Sequence, residues 1–96
     1  MDAKLVVHEK MVYADGSIVE IKAWEVPKTQ TRPEGYKYSM VYIDLHGQRA
    51  LGYDNSKQQG HHKHVYEKQL PVEFRSIDEL LHVFLEEVEA LRGESL

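Results

Sequence analysis

Only one stretch of this chain repeats its apolar residues at helical spacing, and it is the last one. After Ser76, the residues Ile77, Leu80, Leu81, Phe84, Leu85, Val88 and Leu91 recur at i, i+3, i+4, i+7, i+8, i+11 and i+14. That is a single apolar stripe on a helix. Ser76 and Glu79 carry a capping-box signature at its start, and Gly93 stands where a C-terminal cap would. Such a helix is about 24 Å long, enough to cross a small sheet. A one-striped helix must bury its stripe against another element, and everything before it reads as strand or turn.

The strand signals are ordered. Leu5 to Tyr13 is extended, with Leu5, Val7, Met11 and Tyr13 of one parity and Glu9 interrupting them. Asp15-Gly16 is a hairpin turn, because both residues tolerate positive φ. Ile18 to Val26 follows, with Val19, Ile21 and Ala23 on its apolar face and Trp24 on the other; Pro27 ends it. Residues 27–35 are polar, with two prolines and a glycine, and read as a loop. Tyr36 to Leu45 is a third strand, with Tyr36, Tyr38, Met40 and Tyr42 on one face. Arg49 to Tyr53 is a short fourth containing Gly52, a sign of a bulge or of something close to the backbone. Residues 54–60 read as a second loop, His61 to Lys68 as an optional fifth strand, and residues 71–74 as a short extended edge. The expected architecture is α+β: an antiparallel meander of four to five strands with one C-terminal helix packed on a sheet face.

A chain of 96 residues has room for one core, so residues 1–96 are expected to form a single domain. Its 42% hydrophobic and 29% charged residues exclude wholesale disorder. It has no cysteine, which excludes disulfides, thiolate catalysis and cysteine-bound zinc. No apolar run approaches the ~20 residues that span a bilayer, and the N-terminus lacks a signal peptide's apolar stretch. A cytoplasmic protein without membrane contact is expected. The net charge of −4 argues against nucleic acid until it is divided. Residues 1–75 hold 11 Lys/Arg against 10 Asp/Glu, whereas residues 76–96 hold one Arg and six acids. The body is near neutral and holds five of the six histidines; the acid lies in the helix.

Gly60-His61-His62-Lys63-His64 is the most unusual stretch. If extended, it sends His62 and His64 to one face and His61 and Lys63 to the other. Two imidazoles at i, i+2 can act as an acid–base pair or bind a metal. A metal needs further ligands, for which Asp44, His46 and Asp54 are available without being placed by the sequence. The plainer reading is a set of solvated loop histidines. Arg49, Lys57, Lys63, Lys68 and Arg75 can meet phosphates or can be ordinary surface. Tyrosines 36, 38, 42, 53 and 66 can stack under bases, though Tyr38 and Tyr42 at period two are expected in the core. Phosphate loops, nucleophile elbows and helical zinc motifs are missing from the sequence.

Taken in order, several segments resemble one family. They are Ala14-Asp15-Gly16-Ser17, Trp24-Glu25-Val26-Pro27, Gly35-Tyr36-Lys37-Tyr38, Leu51-Gly52-Tyr53-Asp54-Asn55, the GHHKH stretch, and Val72-Glu73-Phe74-Arg75-Ser76-Ile77-Asp78-Glu79-Leu80-Leu81. Together, and over nearly the whole chain, they resemble the TumE-type toxins of prokaryotic toxin–antitoxin pairs. The resemblance implies a growth-inhibiting toxin neutralised by a helix-turn-helix antitoxin. The family's G-x-H-x-H pattern falls on Gly60, His62 and His64, and its GYDN on Gly52, Tyr53, Asp54 and Asn55.

Small toxins of this kind commonly act on RNA, so the expectation is a metal-independent ribonuclease that needs no cofactor. Cleavage needs a base for the 2′-OH, an acid for the leaving oxygen and a cation for the phosphorane. His62 and His64 are the expected acid and base, with Lys63 or Arg49 as the cation; Tyr53, Asp54, Asn55, Lys57 and Tyr66 are expected to bind substrate. Two other readings stand beside it: a non-catalytic protein–protein module, and a histidine-rich metal-binding domain. Open sheet edges and Trp24 lead us to expect a homodimer. Clustered with Lys63, protonated His61, His62 and His64 are expected to repel one another, so that stability falls as pH drops.

Overall fold

The computed structural model describes residues 3–56 and 60–94. Six strands form one antiparallel sheet in chain order: β1 (Lys4–Val12), β2 (Ile18–Glu25), β3 (Tyr36–Ile43), β4 (Arg49–Ser56), β5 (Gly60–Val65) and β6 (Lys68–Pro71). The helix α1 (Ile77–Glu94) lies across one face. The α+β meander with a C-terminal helix is thus as expected, but the strand count is six rather than four to five. Residues expected in a loop extend β4 to Ser56, because the polar side chains of Asp54 and Asn55 find partners across the sheet. The fifth strand stops at Val65. Tyr66 takes a left-handed φ of 54° and, with Glu67, turns the chain into β6. A tyrosine in that conformation gives no turn signal in the sequence. Of the extended edge expected over residues 71–74, only Pro71 belongs to a strand.

The core lies between the helix and the faces of β2, β3 and β4. Val19, Ile21, Ala23, Tyr38, Met40, Tyr42, Leu51 and Tyr53 meet Leu80, Phe84 and Val88, all buried, with Ile77, Leu81, Leu85 and Leu91 partly buried around them. Strand parity and helix stripe thus pick out one another, as period two against period 3.6 requires. Trp24 falls on the opposite face, beneath the Lys37 ammonium at 5.9 Å from its ring centroid.

Two local features depart from the sequence reading. In β1 a bulge between Leu5 and Val7 breaks the expected parity. Leu5 pairs with Trp24 and Val7 with Ala23, so the two residues lie on opposite faces. Gly93 continues the helix instead of capping it, and the helix ends at Glu94. At the other end Ser76 does cap: its Oγ accepts a hydrogen bond from the Glu79 backbone N–H at 3.0 Å. The Glu79 carboxylate turns to Arg75 at 3.5 Å. The Asp15-Gly16 turn forms as expected, with Gly16 at φ 90° and Asp15 Oδ1 accepting from the Ser17 N–H and O–H. Arg92 lies 3.6 Å above the Tyr13 ring and donates to Ser17 Oγ, fixing the helix end to this turn. No helix among the described residues is long and apolar enough to cross a membrane.

Candidate active site

The pairing of β4 with β5 decides where the histidine cluster points. Gly52 lies opposite His64, Tyr53 opposite Lys63, Asp54 opposite His62 and Asn55 opposite His61. Cross-strand partners share a face. The pairs containing His61 and Lys63 therefore face the helix, and those containing His62 and His64 face away from it.

On the helix side, Tyr53, Asn55, His61 and Lys63 each have a structural partner. Lys63 Nζ donates to both oxygens of Glu87 at 3.0 and 3.2 Å, and the Tyr53 hydroxyl donates to the same carboxylate at 2.5 Å. Tyr53 is buried edge-on against Phe84, ring centroids 5.3 Å apart. The rings of His61 and Tyr38 lie side by side, and each is stacked nearly parallel with Phe74, at 4.8 and 5.9 Å between centroids. His61 Nε2 is 3.0 Å from Glu34, and its Nδ1 is 2.8 Å from the Tyr38 hydroxyl. With Nε2–H donating to Glu34, Nδ1 accepts the Tyr38 proton. Buried Asn55 accepts from the Tyr38 N–H and donates to Glu34 and the Tyr36 carbonyl, fastening the loop before β3 to the sheet.

These contacts move two phenols. Burial pushes the Tyr53 hydroxyl well above its ordinary value, reinforced by the hydrogen bond to Glu87 and its charge. Burial, then the charges of Glu34 and Asp54, does the same for Tyr38. The folded chain keeps protons that the unfolded chain releases. The stabilisation is complete below the ordinary phenol value of about 10 and is lost as pH rises above it. The urea midpoint should therefore fall steeply above about pH 10, and Tyr53→Phe should flatten part of that fall. A midpoint constant through this range would contradict the burial of both hydroxyls.

The face turned away from the helix is arranged differently. His62 Nε2 is 2.8 Å from Asp54 Oδ1, and His62 Nδ1 donates to the Gly60 carbonyl at 3.0 Å. Both ring nitrogens thus face oxygen atoms. The His64 ring stands perpendicular to His62, centroids 5.0 Å apart. No hydrogen bond holds it among the described residues. Arg49 reaches this group through Gly52: a Cβ at Gly52 would sit 3.3 Å from Arg49 Cδ. Here is the close approach that a glycine within a strand signals. Ala50 is the extra residue of the bulge that turns Arg49 onto this face, opposite Ile43. Among the described residues Arg49 has no carboxylate partner.

The structure thus brings together His62, His64 and Asp54, with Arg49 on the same face over Gly52, the cross-strand partner of His64. It separates them from Lys63, Tyr53 and Asn55, which serve the helix face. Tyr66 lies in the β5–β6 turn, its N–H donating to the Ala50 carbonyl, and Lys57 falls outside the described residues. Asp44 and His46 form the β3–β4 turn, where Asp44 Oδ1 accepts from the His46 and Gln48 N–H groups. Of the three possible extra ligands, only Asp54 meets the histidines, and one ligand atom from each of Asp54, His62 and His64 lies within 4.8 Å of the others. The pairing divides the cluster that the sequence reading treats as one group. His61, His62 and Lys63 each face a separate carboxylate, those of Glu34, Asp54 and Glu87. Sequence reasoning missed Glu34 and Glu87 because neither is near its partner in the chain.

A family model described as toxin TumE matches residues 2–92. No curated protein and no solved structure matches the chain.

Proposed function

The chain belongs to the toxin TumE family, and on that premise we propose that it inhibits growth by cleaving RNA, as a small metal-independent ribonuclease. The observation that supports this is the convergence of His62, His64, Asp54 and Arg49 on the sheet face the helix leaves open. His64, held by no hydrogen bond among the described residues, takes the proton of the 2′-OH. The 2′-oxygen then attacks phosphorus as the bond to the 5′-oxygen breaks. His62, with Nδ1 held on the Gly60 carbonyl and Nε2 facing Asp54, serves as the general acid through Nε2. The leaving oxygen displaces Asp54 from Nε2 and takes the proton there. Arg49 faces the phosphorane charge, a role a planar guanidinium suits better than an ammonium. Lys63 is committed to Glu87 and takes no part.

Purified protein incubated with total RNA, with and without EDTA, tests this reading. Cleavage unaffected by the chelator is expected. Failure to cleave any RNA would favour the second reading, a protein-binding module. One observation supports that second reading: the outer strand β1 leaves Leu5, Val6, Met11 and Val12 exposed.

Membership of a toxin family implies an antitoxin partner; we propose one of the helix-turn-helix class. We further propose a homodimer that pairs or covers the β1 edge. Light scattering should then give twice the 11.2 kDa chain mass. The mass of one chain across micromolar concentrations would rule the dimer out.

A further inference from the structure

We propose that Asp54, His62 and His64 form a binding site for a divalent ion of the zinc class, and that its occupation switches the toxin off. The second half rests on the ribonuclease reading; the first does not. Three ligand atoms, two imidazole nitrogens and a carboxylate oxygen, lie within 4.8 Å of one another on adjacent paired strands. This donor set suits zinc, and equally cobalt or nickel, over magnesium or calcium, which prefer all-oxygen sites. Metal–ligand bonds of about 2.0–2.2 Å draw such atoms closer together, and the half-exposed His64 ring is free to swing inward.

His62 is already set for ligation. Its Nδ1–H is fixed on the Gly60 carbonyl at 3.0 Å, which leaves Nε2 directed at Asp54 and the site. A ligating histidine is held in this way in metal centres, by a backbone acceptor on its other nitrogen. His62 is nearly fully buried, at 4% exposure, so its ring does not have to be ordered when the ion arrives. Three protein ligands leave a fourth position for water.

The consequence for the reaction follows from the atoms. The ion takes His62 Nε2, the atom that would pass a proton to the leaving oxygen, and the His64 lone pair that would accept the 2′-OH proton. Acid and base are removed together. Arg49 and the helix-side contacts are untouched, so the fold is preserved while the chemistry stops.

Calorimetric titration of the full chain with zinc chloride tests the site, and cobalt absorption in the visible range reads its geometry. One tight site per chain is expected. It should be lost in Asp54→Asn and His64→Ala, both checked for folding by circular dichroism, and kept in His82→Ala on the exposed helix face. Binding weaker than millimolar, or binding that survives Asp54→Asn and His64→Ala, would overturn the site. In the RNA assay, zinc should abolish cleavage and EDTA should restore it. Zinc that binds without changing cleavage, or that cleavage requires, would overturn the switch. A chain that binds zinc as expected but cleaves RNA under neither condition would leave the metal site standing and remove the ribonuclease reading.

Discussion

Phe84→Ala should bring the protein close to unfolding. Phe84 is fully buried at the centre of the helix stripe and meets the edge of Tyr53. Its loss removes the transfer free energy of the ring and leaves a cavity that the flanking Leu80 and Val88 are too short to fill. The cost of such a change is about 3–5 kcal/mol, against a total stability of about 5–15 kcal/mol for a domain. One helix supplies one side of this core, so no second layer compensates. The urea midpoint should fall by a large fraction of its value. Val83→Ala, one residue away but exposed, should shift it little. A Phe84→Ala midpoint close to that of the parent would show that the helix does not pack as described.

That core was legible in advance because two independent periodicities met. Alternation in β2 and β3 marked Val19, Ile21, Ala23, Tyr38, Met40 and Tyr42, and the 3.6-residue repeat marked the helix. What escaped was whatever depends on a neighbour rather than on the residue itself. The β1 bulge puts Leu5 and Val7 on opposite faces without any local signal. The Tyr66 turn uses a residue type that rarely adopts positive φ. Asp54 and Asn55 look like turn residues, and that chemistry masks their capacity to pair across a sheet.

His64→Ala should lower RNA cleavage by about 10²–10⁴-fold, the usual contribution of a general acid or base. It is the cleanest variant of the set, since no hydrogen bond ties the ring to the fold among the described residues. Arg49→Ala should weaken cleavage through the phosphorane. Lys63→Ala should act on stability instead, because it leaves the Glu87 carboxylate without its ammonium. Equal losses of cleavage in Lys63→Ala and His64→Ala would mean that the two faces of β5 do not divide the labour as the geometry indicates.

The site was half legible. The parity of GHHKH correctly set His62 and His64 apart from His61 and Lys63, and Gly52 correctly announced a close neighbour. The partnership of Asp54 with His62 depends on β4 continuing past Tyr53 to pair with β5, and residues 54–60 read as loop in the sequence. Glu34 and Glu87 reach the cluster from a loop and a helix more than twenty residues away in sequence. No spacing rule finds such contacts, since they come from tertiary packing.

The most direct measurement is growth inhibition on induced expression of the parent chain, His62→Ala, His64→Ala and Lys63→Ala, each shown to be folded by circular dichroism. The two histidine variants should be harmless while Lys63→Ala still arrests growth, which would place the toxic chemistry on the open face of β5. Full toxicity in both His62→Ala and His64→Ala would contradict the account and remove this face as the active site.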